Sequence, residues 1–197
     1  MKASTAISNF KKRFGVFILI VSMLLTMAAC SNGEITNYVN QNGHTYTTSS
    51  VTTPKNVTVT TWKYNELTTQ EIADANSYVS TNYPNATKLR EPTLKYNCHS
   101  YAWYSTSTSN THWMNDPSAY YTGTNKSYTL ITTGSTNTIP SSVSNGSKVT
   151  YTGSSLEHSA IKTSSTKFTS KWGAAGLYEH TPTYAPYTAS FSYYKAV

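Results

Sequence analysis

The sequence predicts an α+β domain in which N-terminal helices pack on a small antiparallel β-sheet. Two observations carry this expectation. Thr68 followed three residues later by Glu71 forms a capping box ahead of Ile72, Ala75 and Val79, which recur at helical spacing. Beyond Gly123, short β-branched and aromatic runs alternate with Gly, Ser and Pro. A helix-first, strands-after order is the signature of an α+β arrangement. The 17 tyrosines and the many threonines suit strands that expose one face to water.

The capped helix ends at Tyr83-Pro84-Asn85, and Leu89-Arg90-Glu91-Pro92 reads as a connector. From Cys98 to about Ser105 a short second helix is expected, with Asn97 as its N-cap and Tyr101 and Ala102 turned inward. His112 to Pro117 reads as loop or a single helical turn. The expected strands are Ser127 to Thr132, Lys148 to Thr152, His158 to Thr163, Lys167 to Trp172 and Ser190 to Tyr194.

The N-terminus has the three parts of an export signal. Lys2, Lys11, Lys12 and Arg13 form a basic region, Phe14 to Leu25 an apolar run, and Ala28-Ala29 lead into Cys30. That run falls short of the roughly 20 apolar residues a bilayer span needs, which favours a cleaved signal. Met27-Ala28-Ala29-Cys30 resembles the lipobox of bacterial lipoproteins, which implies acylation of Cys30 and a lipid anchor to an extracytoplasmic membrane surface; ordinary secretion is the alternative. Residues 31–61, rich in Thr, Ser, Asn and Gly, read as a flexible tether that ends in an extended stretch from Asn56 to Trp62. The working domain is then 62–197.

The net charge of +7 falls to +3 once the four basic residues of the signal are removed. The remaining Lys and Arg are scattered, which argues against nucleic acid as a partner, since that wants a concentrated basic stripe. Close-spaced metal-ligand pairs are lacking, so neither a metal nor another cofactor is expected. Trp103, Trp113 and Trp172 read as packing residues. The oligomeric state is not written in the sequence.

With Cys30 assigned to the anchor, Cys98 is a lone thiol in an exported chain, where an idle thiol is an oxidation liability. A nucleophilic cysteine needs a lowered pKa, which a helix N-terminus and a nearby imidazole supply. Cys98 at the start of a helix meets the first need. Of the five histidines, His44 lies in the tether, His99 points about 100° around the helix from its neighbour, and His158 opens a strand. His158 is therefore the expected base.

Asn97-Cys98-His99-Ser100-Tyr101, then Gly146-Ser147-Lys148-Val149-Thr150-Tyr151, then His158-Ser159-Ala160-Ile161 resemble the papain-like hydrolases of bacterial cell walls. The NlpC-type endopeptidases and the CHAP amidase domains are similar in layout over roughly Tyr96 to Trp172. This chain has Gly146-Ser147 where those families have Gly-Asp, and His99 where they usually have Ser. The resemblance implies a cysteine amidase or peptidase acting on cell-wall peptide or protein. Cys98 would be the nucleophile and His158 base and then acid. Ser170, His180 or Glu179 would be the group that orients His158, with Ser170 preferred. The backbone N–H of Cys98 would serve the oxyanion. Two other functions stay open: a non-catalytic surface lipoprotein that binds wall glycan or a partner, and acyl transfer by the same Cys–His pair.

Overall fold

The computed structural model describes residues 43–152, 157–187 and 190–197. Cys30 and the export signal lie outside the described residues. No helix among the described residues is long and apolar enough to cross a membrane.

The fold is mixed, with two antiparallel sheets and few helices. β1 (Tyr46–Thr52) and β2 (Thr58–Tyr64) form a hairpin in full register from Tyr46↔Tyr64 to Thr52↔Thr58. Over residues 46–61 this corrects the expectation of a flexible tether, while the extended stretch expected from Asn56 to Trp62 falls on β2; residues 31–42 lie outside the described residues. Thr and Ser are good strand residues when one face is wet. Here Val51, Val59 and Thr61 are buried while Thr47, Thr48, Ser50, Thr58 and Thr60 face water. Trp62 and Trp113 exchange both backbone hydrogen bonds at 2.8 Å, which ties the hairpin to the loop after the second helix.

α1 (Thr69–Asn82) begins on the expected capping box: the Thr68 hydroxyl accepts from the Glu71 N–H, and the Glu71 carboxylate accepts from the Thr68 N–H. Its buried residues, Ala75 and Val79, lie four apart on one face. The backbone turns helical again at Cys98, and Ser100–Tyr104 form a π-helix, with the Ser105 N–H donating to the Ser100 carbonyl. Asn97 caps this turn as expected: its Oδ1 accepts from the Ser100 N–H at 3.1 Å.

The main sheet holds seven strands in the order β3-β8-β7-β6-β5-β9-β4. These are β3 (Thr87–Arg90), β4 (Tyr128–Gly134), β5 (Lys148–Thr152), β6 (His158–Lys162), β7 (Phe168–Lys171), β8 (Leu177–His180) and β9 (Ser190–Ala196). Five match the expected strands. β3 corrects the connector assigned to Leu89-Arg90: it is an edge strand on β8, and β8 itself was not foreseen as a strand.

β6 and β7 are buried at every position because both sheet faces are covered. One face carries Val149, Tyr151, Ala160, Phe168, Trp172, Tyr178, Phe191 and Tyr193, and packs against Val79 of α1. The other carries Ile161 and Leu177, and packs against Tyr101, Ala102 and Trp103 of the π-helix and Val51 and Val59 of the hairpin. This two-sided cover places the Cys98 helix directly over β6 and β7.

Candidate active site

The site is set by a fault in the sheet. β6 pairs with β7 only at Ile161↔Thr169 and Lys162↔Phe168. β7 meanwhile stays paired with β8 as far as Lys171↔Leu177. The Lys162 N–H donates to Ser147, on the β5 side of β6. Strand alternation therefore turns the N–H groups of Ile161 and Ser159 toward β7. At Ser159 no β7 partner is present, and its N–H instead meets the sulfur of Cys98. The helix thus inserts a thiol into the slot where two central strands part.

Cys98 is 6% exposed and makes no disulfide. Burial pushes its thiol up to about 11. The N–H groups of Ser159 and His99, the charge of Lys171 and the N–H of Cys98 itself pull in the opposite direction. Two of these N–H groups, those of Cys98 and His99, belong to the helix start, where unpaired donors favour an anion, and the third comes from β6.

His158 lies one residue before the Ser159 amide, with its ring on the α1 side of the sheet. It is 1% exposed, and neither ring nitrogen has a hydrogen-bond partner. Its contacts are aromatic. Tyr187 stacks on it at 3.7 Å and 9°, and Tyr151 meets it edge-on at 4.8 Å. Burial holds its pKa well below the ordinary imidazole value, with His180 and His99 adding to the effect. Tyr151 and Tyr187 also lie within electrostatic reach of the Cys98 thiol. Thiol and imidazole therefore share two neighbours, but no hydrogen bond joins them.

The expected orienting residues are placed differently. Ser170 and His180 were each assigned to His158, yet they bind one another: Ser170 Oγ lies 2.8 Å from His180 Nε2. The direction of this bond follows from its neighbours. His180 Nδ1 faces the Thr181 carbonyl at 2.8 Å and must donate to it, so Nε2 accepts the Ser170 hydroxyl proton. The Trp172 indole N–H completes the set by donating to Ser170 Oγ at 3.0 Å. With both Ser170 and His180 at 0% exposure and joined to each other and to Trp172, this triplet holds the core together, and none of its bonds reaches His158. Glu179, the remaining candidate, is opposite Thr169 in the β7–β8 ladder, on the other face of the sheet from the His158 ring.

A second triplet of the same kind lies on the helix side. Ser159 Oγ bonds His99 Nδ1 at 2.8 Å and accepts the Trp103 indole N–H at 2.9 Å. His99 thus commits its Nδ1 to Ser159. His99 and Trp103 fasten the π-helix to β6, so the helix that carries the thiol is bolted to the strand whose N–H meets it. Asn97 adds a third fixing point: besides capping, its Oδ1 accepts from the Met114 N–H at 3.1 Å and its Nδ2 donates to the Met114 carbonyl at 2.6 Å. His44 is not in a loose tether; it is 3% exposed and bonds Glu71 at 2.8 Å.

Lys171 is the residue the sequence reading passed over, because an ammonium can only donate and so cannot orient an imidazole. It is 0% exposed and donates to the carbonyls of Thr93, Gly173 and Ala175 at 2.9, 2.6 and 2.5 Å. A lysine at a strand position flanked by Ser170 and Trp172, both core residues, was the available signal. Among the described residues, no cluster of His, Cys, Asp or Glu has the makings of a metal site.

Compared with known proteins, the chain matches no family model, no curated protein and no solved structure. Function therefore has to be argued from the site itself.

Proposed function

We propose that this chain is an extracytoplasmic cysteine hydrolase of papain-like architecture, held at the membrane through Cys30, that cleaves an amide in cell-wall peptide. The observation that carries the reading is a lone buried thiol at a helix start, packed on the strand that carries a buried imidazole with both nitrogens unclaimed, the two sharing Tyr151 and Tyr187 as neighbours. An unsatisfied buried histidine is costly, and a reaction that uses its lone pair is a reason for a fold to keep it. On this reading His158 takes the Cys98 proton and the thiolate attacks the carbonyl carbon. The tetrahedral oxyanion is met by the N–H groups at the helix start. Protonated His158 then gives its proton to the leaving amine, and water hydrolyses the thioester to return free Cys98. In the resting geometry the thiol is covered, so turnover requires the slot to open and admit substrate.

The test is incubation of the domain with purified peptidoglycan and mass spectrometry of the released fragments. Release by the wild type, abolished in Cys98→Ala and in His158→Gln, supports the reading. Undiminished release by Cys98→Ala refutes it.

A second reading is favoured by the burial of the thiol and its pKa near 11. In it the same fold is a non-catalytic surface lipoprotein that binds wall glycan or a partner. Slow iodoacetamide reaction of Cys98 even with peptidoglycan bound, and no fragment release, would favour the binder. Transfer of the acyl group to an amine, in place of water, would appear in the same spectra as a product mass increased by that amine.

A further inference from the structure

Lys171 is a buried charge that the proposed chemistry does not yet use. Its three carbonyl acceptors decide its form: an ammonium offers three N–H donors, whereas a neutral amine has two and would aim a lone pair at a carbonyl oxygen. The cage therefore selects the cation. Its position is equally specific. Two residues on from the Thr169 that pairs with Ile161, Lys171 lies on the same sheet face as Ile161, the face on which the Cys98 helix packs, and within electrostatic reach of the sulfur. The ammonium also lies over the ring of Tyr96, two residues before Cys98, at 5.4 Å.

We propose that Lys171 is a positioning residue whose caged ammonium is the fixed counter-charge for the Cys98 thiolate. This rests on the reading of Cys98 as a nucleophile. The cage serves that role twice. It joins Thr93, on the approach to the Cys98 helix, to Gly173 and Ala175 in the turn between β7 and β8, and so fixes the end of β7 that carries the ammonium. It also keeps a positive charge within electrostatic reach of the Cys98 sulfur. The other titratable groups around the pair are accounted for. His158, His99 and His180 are buried and held neutral. Tyr151 and Tyr187 have phenols raised by burial. Glu66 is the one acid acting on the ammonium. Burial draws Lys171 down to about 7, while Cys98 and Glu66 pull it up.

The experiment compares thiolate formation, followed by ultraviolet absorbance, in the wild type, Lys171→Met, Lys171→Arg and His158→Gln. Loss of the counter-charge in Lys171→Met is expected to raise the Cys98 midpoint by at least about one pH unit, with alkylation at neutral pH slowed about tenfold. Lys171→Arg should recover part of the shift, which a purely structural role would not predict. A reciprocal measurement removes any dependence on the folding of Lys171→Met. By linkage, Cys98→Ala must lower the titration midpoint of the Lys171 ammonium, read by nitrogen NMR on the labelled protein. An unchanged Lys171 midpoint in Cys98→Ala, or an unchanged thiol midpoint in folded Lys171→Met, overturns the proposal. Coupling in both directions without fragment release from peptidoglycan would keep the counter-charge and discard the hydrolase.

Discussion

Asn97→Ala is the perturbation whose cost can be worked out most directly. The Asn97 side chain is 5% exposed and makes three hydrogen bonds, with the Ser100 N–H, the Met114 N–H and the Met114 carbonyl. Alanine leaves two donors and one acceptor without partners in a closed interior. At about 1 to 1.5 kcal/mol for each lost bond, the expected loss is about 3 to 4.5 kcal/mol, well beyond the ~1 kcal/mol typical of an exposed N-cap. Asn97→Asp keeps both acceptor bonds and gives up only the donor, so it should cost about half as much. Urea unfolding followed by circular dichroism measures both, with the slope required to stay constant across variants. A loss below about 1 kcal/mol for the alanine variant would refute the view that Asn97 clamps the helix start to the Met114 loop.

Three further outcomes follow from the same geometry. Ser170→Ala strips a partner from the Trp172 indole and from His180 Nε2, so stability should fall by about 2 to 3 kcal/mol while the Cys98 titration is unmoved; a shifted thiol midpoint would reinstate Ser170 in the chemistry. Burial depresses His99 and His180 from 6.5 to about 4. The unfolded chain therefore binds protons the fold refuses, and the stability these two histidines contribute is present above the unfolded value and lost as pH falls toward the folded one. By linkage each accounts for about 3 kcal/mol across that window, so thermal melts at neutral pH and near pH 4.5 should differ strongly, and coincident melts would contradict neutral burial. Gly176→Ala would drive a Cβ into the Arg90 carbonyl and the Tyr178 ring, opening β3 from β8; a drop of about 2 kcal/mol or more with faster amide exchange at Thr87 and Lys88 is expected, and wild-type exchange there would disprove the contact.

What could be read from the sequence was local. The Thr68–Glu71 box and the Asn97 cap depend on residues three apart, and both are present in the fold. Five strands announced themselves through β-branched and aromatic runs between turn residues. β3 and β8 did not, because Leu89-Arg90-Glu91-Pro92, which overlaps the end of β3, reads as a connector and Leu177-Tyr178-Glu179-His180 is too short to show alternation. The hairpin over 46–64 was hidden by its composition: a Thr-rich segment looks like a spacer unless its valines are known to find a core. At the site, the order of motifs placed Cys98 and His158 on the helix and strand where the fold has them. It could not reveal that β6 and β7 part at Ser159, nor that Ser170 chooses His180, since both depend on which of several adjacent strands supplies the nearest acceptor.

Were the chain anchored at Cys30 as proposed, the early start of the folded unit would limit how far the domain could work from the membrane. If 31–61 were all slack chain, a site attached at Cys30 could sweep a layer roughly 100 Å deep, at about 3.5 Å for each extended residue. Ordered chain from Gly43 onward leaves only residues 31–42 to supply length, at most about 40 Å even when drawn straight. Under the proposed anchoring and the proposed activity, the domain would meet only material lying close against the membrane, newly made wall there in preference to the mature outer layers.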